Sequence, residues 1–311
     1  MILPMISIIC NTYNHEKYVQ DALESFLMQK TSIPIEILVH DDASPDKTAN
    51  IIRKYESKNP NLFNNIYQDL NQYSKGVSIT AQIQIPRAKG KYIAFCEGDD
   101  YWTDSEKLQI QYDFMERHPE CSACCHAYNK VDKDKNLLHV CHDFPQDQPI
   151  PIERLLGNQL AIPQFATLFV RSDIIKGITH TFCGHECNDM IIRLFCAVHG
   201  TVYYLNKNMS CYRQFTETSW TKRMGVQRNK LIKHYEGIIP FLLNYDQYTH
   251  GIFSKAIKAC IERRQFELAL MKGEYSKARK MKNYTTSSLK RKIYISLGTI
   301  APRLINWLRQ K

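Results

Sequence analysis

Strand-length apolar runs alternate with helix-length segments through the first hundred residues, and this order constrains the fold more than any other property of the chain. Ile6–Cys10 reads as a strand, the stretch near His15–Gln29 as a helix, Glu36–His40 as a strand, Asp46–Lys58 as a helix and Asn65–Tyr67 as a short strand. A helix near Ser78–Ala88 then leads into a strand over Tyr92–Cys96. Parallel strands need a crossover of roughly a dozen residues or more, usually helical. The order therefore predicts an α/β domain with a mostly parallel, Rossmann-like sheet and helices on both faces. Such sheets take ligands beyond the carboxyl ends of their strands. Three polar segments fall there: Asn11–His15, Asp41–Asp46 and Glu97–Asp100.

The third segment is the most informative. In KYIAFCEGDDYW, residues Lys91 to Trp102, an apolar run ends on Glu97, Asp99 and Asp100 with only Gly98 between them. Like charges so crowded destabilise a fold unless a cation offsets them. Hard cations such as Mg²⁺ and Mn²⁺ prefer carboxylate oxygens and commonly share them with a substrate's phosphates, so Glu97, Asp99 and Asp100 are candidate metal ligands and a nucleotide diphosphate is the expected partner. The competing explanation is a helix cap, since Thr103–Glu106 can begin a helix. Capping accounts for Thr103 or Asp104, and leaves the three acids upstream unexplained.

Farther along, Lys107–Arg117 reads as a helix and Cys121–Tyr128 as a strand. Between Asp132 and Ile162, four prolines in and just beyond the segment (Pro145, Pro149, Pro151 and Pro163) suggest loops around one short helix near Ile152–Leu156. Gln164–Val170 returns to strand character, Cys187–His199 reads as a helix and Val202–Leu205 as a strand. The expected boundary separates a catalytic domain, residues 1–223, from a helical C-terminal region, residues 224–311, with apolar residues at helical spacing in Leu231–Leu243, Ile252–Met271 and Tyr275–Met281.

Charge is distributed unevenly between these regions. Fifteen lysines and arginines stand against three glutamates from Ile252 to Lys311, a net of +12 out of the chain's +10, which leaves −2 on the first 251 residues. A basic tail attracts anionic lipid or nucleic acid, or is a solvated helical face. The last stretch, Leu289 to Leu308, carries apolar residues between Lys290-Arg291-Lys292 and Arg309–Lys311. It is interrupted by Gly298 and Pro302, so it reads as an interfacial helix or one packed on its own domain, and not as a membrane span. No secretory signal is visible at the N-terminus, which gives a cytoplasmic expectation, with peripheral attachment to the inner face of the cell membrane through the basic region. Eleven cysteines on apparently apolar elements fit reduced, buried thiols. Two cysteine and histidine groupings, Cys121 to His126 and Cys183 to Cys187, are poor zinc sites. In the first, neighbours on a strand face opposite ways.

Four separated segments together resemble the family 2 glycosyltransferases: SIICNTYNHEKYVQDALESFLMQ, ILVHDDASPDKT, AKGKYIAFCEGDDYW, and ECNDMIIRLFCAVHG followed by MSCYRQF. The resemblance covers roughly residues 5 to 220. It implies the type A nucleotide-sugar transferase fold, an activated sugar donor, and transfer with inversion at the anomeric carbon. By the same resemblance, Thr12 and Tyr13 lie in the donor loop, and Asp41 matches the carboxylate that accepts the uracil N3–H, which favours a UDP-sugar. Asp42 and Ser44 shape the turn. Glu97 stands where the family usually has aspartate. Asp99 and Asp100 are assigned to the ribose and to a diphosphate bound through Mn²⁺ or Mg²⁺.

Inversion needs a base for the acceptor hydroxyl. Asp189 matches the family's acid at the head of a helix, with Glu186 as the alternative. Arg213 matches a region that closes over the diphosphate, where a following histidine of the family is replaced by Phe215. Trp102 and Trp220 flank the sugar pocket or are buried aromatics. The implied acceptor is a saccharide or a lipid-linked one, in cell-surface polysaccharide or lipopolysaccharide synthesis.

Two other classes remain. A metal-dependent nucleotidyltransferase would carry a glycine-rich phosphate loop, and Asn11–Lys17 has no glycine. A non-catalytic nucleotide or nucleic-acid binder is disfavoured because the acidic strand ends repel phosphates unless a metal intervenes; no nucleic-acid partner is expected.

Overall fold

The computed structural model describes residues 5–157, 163–178, 188–214, 216 and 228–300. The chain divides into two compact units, Met1–Arg223 and Met224–Lys311.

In the first unit, β1 (Ile6–Thr12) pairs in parallel with β2 (Ile35–Asp41), which pairs in parallel with β3 (Ile66–Tyr67). On its other side β1 pairs in parallel with β4 (Tyr92–Phe95). The register aligns Ile6, Ile8 and Cys10 with Ile35, Ile37 and Val39 and with Tyr92 and Ala94, so one face of the sheet is a continuous apolar surface. Against that face pack Val19, Ala22, Leu23 and Phe26 of α1 (Val19–Leu27) and Ile52 of α2 (Thr48–Lys58). The period-two pattern of the strands and the 3.6-residue period of the helices meet in one core.

The sheet then becomes mixed. A short pair of residues, β5 (Tyr101–Trp102), follows the acidic turn. After α4 (Lys107–Arg117) comes β6 (Cys121–Val131), then β7 (Leu137–Cys141) and β8 (Gln148–Pro149), the helix α5 (Ile152–Leu155), β9 (Phe169–Arg171), α6 (Ser172–Ile175), α7 (Asn188–His199) and β10 (Thr201–Arg213). The strand order is β3-β2-β1-β4-β9-β6-β10-β5. β9 runs antiparallel to both β4 and β6, β6 and β10 are parallel, and β5 is antiparallel to β10. Arg171, ending β9, fixes this junction by donating to the carbonyls of Met115, His118 and Cys121 and to the Tyr92 hydroxyl.

Local chemistry moves several element boundaries from their sequence expectations. The first helix begins at Val19 and not near His15. Asn14 adopts a left-handed φ of 58°, and the amides of Asn14, His15 and Glu16 donate to the side chains of Ser44, Thr48 and Asp46. The helix expected near Ser78–Ala88 is a π-helical turn, Ile79–Gln84, leading into one α-turn, α3, at Ile85–Arg87. Pro86 lacks the N–H that a continuous α-helix would need there. Of the strand expected over Gln164–Val170, Phe169 and Val170 join the sheet, in β9. The Gln164 side chain accepts the Ala166 amide and its carbonyl accepts that of Thr167, which winds Phe165–Thr167 into a 3₁₀ turn. The region read as loops contains β7 and β8.

In the second unit, α8 (Arg228–Tyr248), α9 (Ser254–Lys272), α10 (Tyr275–Arg279), α11 (Lys282–Thr285) and α12 (Leu289–Ile300) follow one another. Their core includes Phe266, Ala269, Leu270, Tyr275, Ala278 and Ile295. Among the described residues no helix is long and apolar enough to cross a membrane.

Among the described residues of the first unit, one fully buried lysine has no carboxylate beside it. Lys107 is fully inaccessible; its Nζ donates to Gln111 Oε1 at 2.7 Å and lies 4.0 Å from the centre of the Trp102 ring. Burial pushes its pKa down to about 7. Between that value and the ordinary lysine value near 10.5 the unfolded chain holds more protons, so this group makes stability rise with pH. Buried thiols such as Cys96 and Cys124, whose pKa values are raised, act in the opposite sense once unfolded cysteines ionise, above about pH 8.5. Melting temperatures measured from pH 7 to 8.5 should therefore climb less steeply in Lys107→Met than in the wild type. Parallel curves would show that this lysine stays charged inside the fold.

Candidate functional site

The three polar segments expected at the strand ends are joined to one another. β1 and β4 continue their parallel hydrogen bonding into the acidic turn, with the Cys96 amide donating to the Ile9 carbonyl and the Gly98 amide to the Asn11 carbonyl, each at 3.0 Å. The turn is pressed against the end of β1. A Cβ placed on Gly98 would lie 2.5 Å from Thr12 Cγ2 and 2.8 Å from His15 Nδ1. Glycine is required here by close approach, which the sequence shows only as a spacer between acids.

On the other flank, Thr12 Oγ1 donates to Asp41 Oδ1 at 3.0 Å, and Ser44 donates to Asp41 through its hydroxyl at 2.6 Å and its amide at 3.1 Å. Asp41 is buried and carries this turn. Its Oδ2 receives the Ser44 amide alone among the described partners. Asp42 accepts the amides of Gln72 and Tyr73, so it fixes a segment thirty residues away and not its own turn. Tyr13, with 36% of its surface exposed, is the member of the donor-loop pair that faces outward. Behind the strand ends, Gln84 donates to the carbonyls of Cys10 and Leu38, and Asn11 to Thr80.

Asp99 and Asp100 are adjacent in sequence and opposite in situation. Asp100 is buried, accepts the Arg213 amide on Oδ1 at 2.8 Å and Gln164 Nε2 on Oδ2 at 2.9 Å. Burial and then the neighbouring Asp99 push its carboxyl well above the usual range, against the two hydrogen bonds. Asp99 is half-buried, with Oδ2 at 3.3 Å from Thr216 Oγ1 and 4.0 Å from His15 Nε2. Glu97 is likewise half-buried. Among the described residues, no three histidine, cysteine or acidic side chains converge as a ready-made metal cage. The carboxylates present fit the other mode, in which the protein offers one or two oxygens and a bound diphosphate and water complete the shell.

Two residues assigned to substrate contact are placed elsewhere. Arg213 is fully buried. Its Nη1 donates to the Asp99 carbonyl and its Nη2 to Asp21 Oδ2, each at 2.6 Å, and the guanidinium lies within 5.0 Å of the Tyr18 and Tyr101 ring centres. It ties the acidic turn to β10 and α1, and its two terminal nitrogens are engaged within the protein. Trp102 is buried against Phe26 and donates from Nε1 to the Ala166 carbonyl, so it belongs to the core and not to a sugar pocket.

Asp189 stands in the first turn of α7, its side chain 47% exposed. Oδ1 accepts the Met190 amide at 2.7 Å, and Oδ2 meets Arg193 Nη1 at 3.2 Å. Arg193 is itself buried and anchored by Nε to the Leu155 carbonyl, so it holds the carboxylate in a fixed direction. Glu186, Phe215, Trp220 and the Cys183 to Cys187 grouping lie outside the described residues.

Asp21, His15 and Gln164 were not anticipated from the sequence. Asp21 looks like an ordinary first-turn helix acid, and nothing local marks it as the partner of an arginine almost two hundred residues away. The fit at Gly98 gives a direct test. Gly98→Ala should lower stability by about 1–3 kcal/mol through overpacking, read as a fall in melting temperature, and Thr12→Ser in that background should restore part of it by removing Cγ2.

Comparison with known proteins agrees with this architecture. The model of Glycosyl transferase family 2 matches residues 7–184. An uncharacterised protein of Mycobacterium tuberculosis is 41% identical over 215 residues, which are 69% of this chain and 60% of that protein, so the chain spans less than two thirds of its relative's length. The UDP-Glc:alpha-D-GlcNAc-diphosphoundecaprenol beta-1,3-glucosyltransferase WfaP of Escherichia coli is 37% identical over 144 residues, covering 46% of this chain and 53% of that one. Among solved structures, residues 1–349 of S. aureus TarS in complex with UDP-GlcNAc superpose with a TM-score of 0.64 at 19% identity, over 92% of this chain and 77% of that one. The fold is that of the type A glycosyltransferases, and the chain belongs to glycosyl transferase family 2.

Proposed function

We propose that the first unit transfers a sugar, with inversion, from a UDP-sugar to a hydroxyl of a saccharide or lipid-linked acceptor in cell-surface polysaccharide synthesis. The observation that carries the proposal is the convergence of Tyr13, the Thr12–Asp41 pair and the Asp99 side chain at the carboxyl ends of β1, β2 and β4, where an α/β sheet receives its ligand. The relatives' own donors, UDP-glucose for WfaP and UDP-GlcNAc bound to TarS, support a uridine nucleotide.

In this reading Tyr13 meets the base or ribose, and Asp41 Oδ2 is the oxygen left to accept the uracil N–H. Asp99, with Glu97 beside it, would hold Mg²⁺ or Mn²⁺ when the donor binds. Asp100 holds the turn in place through one hydrogen bond on each oxygen, from Arg213 and Gln164, and the lone pairs that remain leave it a candidate ligand beside Asp99. Bound there, a divalent cation supplies Lewis-acid stabilisation of the charge that builds on the departing nucleotide diphosphate. Asp189 takes the proton of the acceptor hydroxyl; its exposed carboxylate, aimed by Arg193, suits that role, and Glu186 is the second candidate.

The test is release of UDP from a panel of UDP-sugars offered with saccharide and polyprenyl-diphosphate-sugar acceptors. Turnover should require Mg²⁺ or Mn²⁺ and stop with a chelator, and the product should carry the anomeric configuration opposite to that of the donor. Asp99→Asn should lose metal-dependent turnover with an unchanged melting temperature, whereas Asp100→Asn should lower the melting temperature. Asp189→Asn should slow transfer by about 10²–10⁴ while calorimetry shows donor affinity within a few fold of wild type. Metal-independent turnover, or equal loss of donor binding in the Asp99 and Asp189 variants, would overturn this division of roles.

A further inference from the structure

The second unit carries an exposed apolar stripe on its last described helix. In α12 the four exposed large apolar residues are Leu289 (74%), Ile293 (51%), Leu297 (44%) and Ile300 (79%). At 3.6 residues per turn these positions fall within an arc of about 80°. The opposite side of the helix is occupied. Ile295 is buried in the unit's core, and Gly298 lies so close to Tyr275 that a Cβ there would stand 2.6 Å from its ring. The helix is therefore docked by one face, and its apolar stripe points away from its own core.

The charge beside the stripe decides what suits it. Lys290 and Lys292 fall on either side of the arc, and Arg279, Lys280 and Lys282 precede the helix. None of these five has a carboxylate partner among the described residues, whereas Lys272, Lys277 and Arg291 are paired with Glu236, Glu274 and Glu267. Lys290 and Lys292, unneutralised on either side of an exposed apolar strip, complement a surface that is negative outside and apolar just beneath. A second copy of this unit would bring the same cations against each other. We propose that the outer face of α12 docks on an anionic lipid bilayer, with Leu289, Ile293, Leu297 and Ile300 entering the headgroup boundary and Lys290 and Lys292 at the phosphate level. The proposal is independent of the transferase reading.

The experiment is co-sedimentation of the full chain with vesicles of phosphatidylcholine alone and of phosphatidylcholine mixed with phosphatidylglycerol, at low and high salt. Binding is expected to the mixed vesicles, to weaken with salt, and to fall at least tenfold in Ile293→Gln/Leu297→Gln with no loss of melting temperature. Lys290→Gln and Lys292→Gln should each lower binding to mixed vesicles by about fivefold and leave the apolar contribution intact. Equal partitioning to both vesicle types, or wild-type binding by the double glutamine variant, would overturn the proposal. So would dimerisation that the double variant abolishes while vesicles are ignored, which would assign the stripe to a second copy. A melting temperature lowered by the double variant, with no vesicle binding by the wild type, would assign it to the protein's own interior.

Discussion

The buried guanidinium of Arg213 is the contact on which the rest of the first unit's ligand-facing edge depends. β10 reaches the acidic turn because it pairs antiparallel with Tyr101 and Trp102, and its last residue then meets both aspartates: the main-chain amide binds Asp100 and the side chain binds the Asp99 carbonyl. Asp21 on α1 completes the arrangement. A cation fully removed from water is strongly destabilising unless paired and hydrogen-bonded. Here the carboxylate of Asp21, a carbonyl and the faces of Tyr18 and Tyr101 share that duty. One residue thus fixes the turn's position between β10 and α1.

This arrangement explains which parts of the molecule are legible in the sequence. The β-α alternation from Ile6 to Cys96 announces itself because β1, β2 and β4 are buried along nearly their whole length and the first two crossovers carry the amphipathic helices α1 and α2. The acidic turn is visible because crowding of Glu97, Asp99 and Asp100 has no local purpose. The division between Asp99 and Asp100 is invisible locally. Their environments diverge only when Gln164 and Arg213, 64 and 113 residues distant from Asp100, arrive to occupy it. Arg213 itself looks available for phosphate in the sequence, and only its tertiary partners show that it is engaged. Trp102 is similar: an aromatic next to a ligand-binding turn suggests a pocket wall, yet its indole points inward to Ala166.

Two of the misplaced boundaries share one cause. At Asn14–Glu16 and at Gln164–Thr167, backbone amides or carbonyls are satisfied by side chains or tight turns and not by a regular ladder. Serine, threonine, aspartate and glutamine make such alternatives available, and whether they are used depends on what the fold brings within reach. Thr48 and Asp46 stand on the far side of a strand crossover from His15 and Glu16, so pattern alone favours starting the helix too early. The Asp189–Arg193 pair, by contrast, spans four residues on one helix face and is readable as soon as the helix is recognised.

All nine described cysteines are reduced and buried. Seven of them, Cys10, Cys96, Cys121, Cys124, Cys125, Cys141 and Cys211, line the strands or strand ends of the first unit, and burial raises their pKa values. Alkylating reagents attack thiolates that solvent can reach, so in the native molecule these positions are shielded twice, by access and by protonation. Their labelling rates consequently clock how often each strand opens, and a mass-spectrometric map of the modified sulfurs would resolve the sheet into its separately breathing segments without any introduced probe.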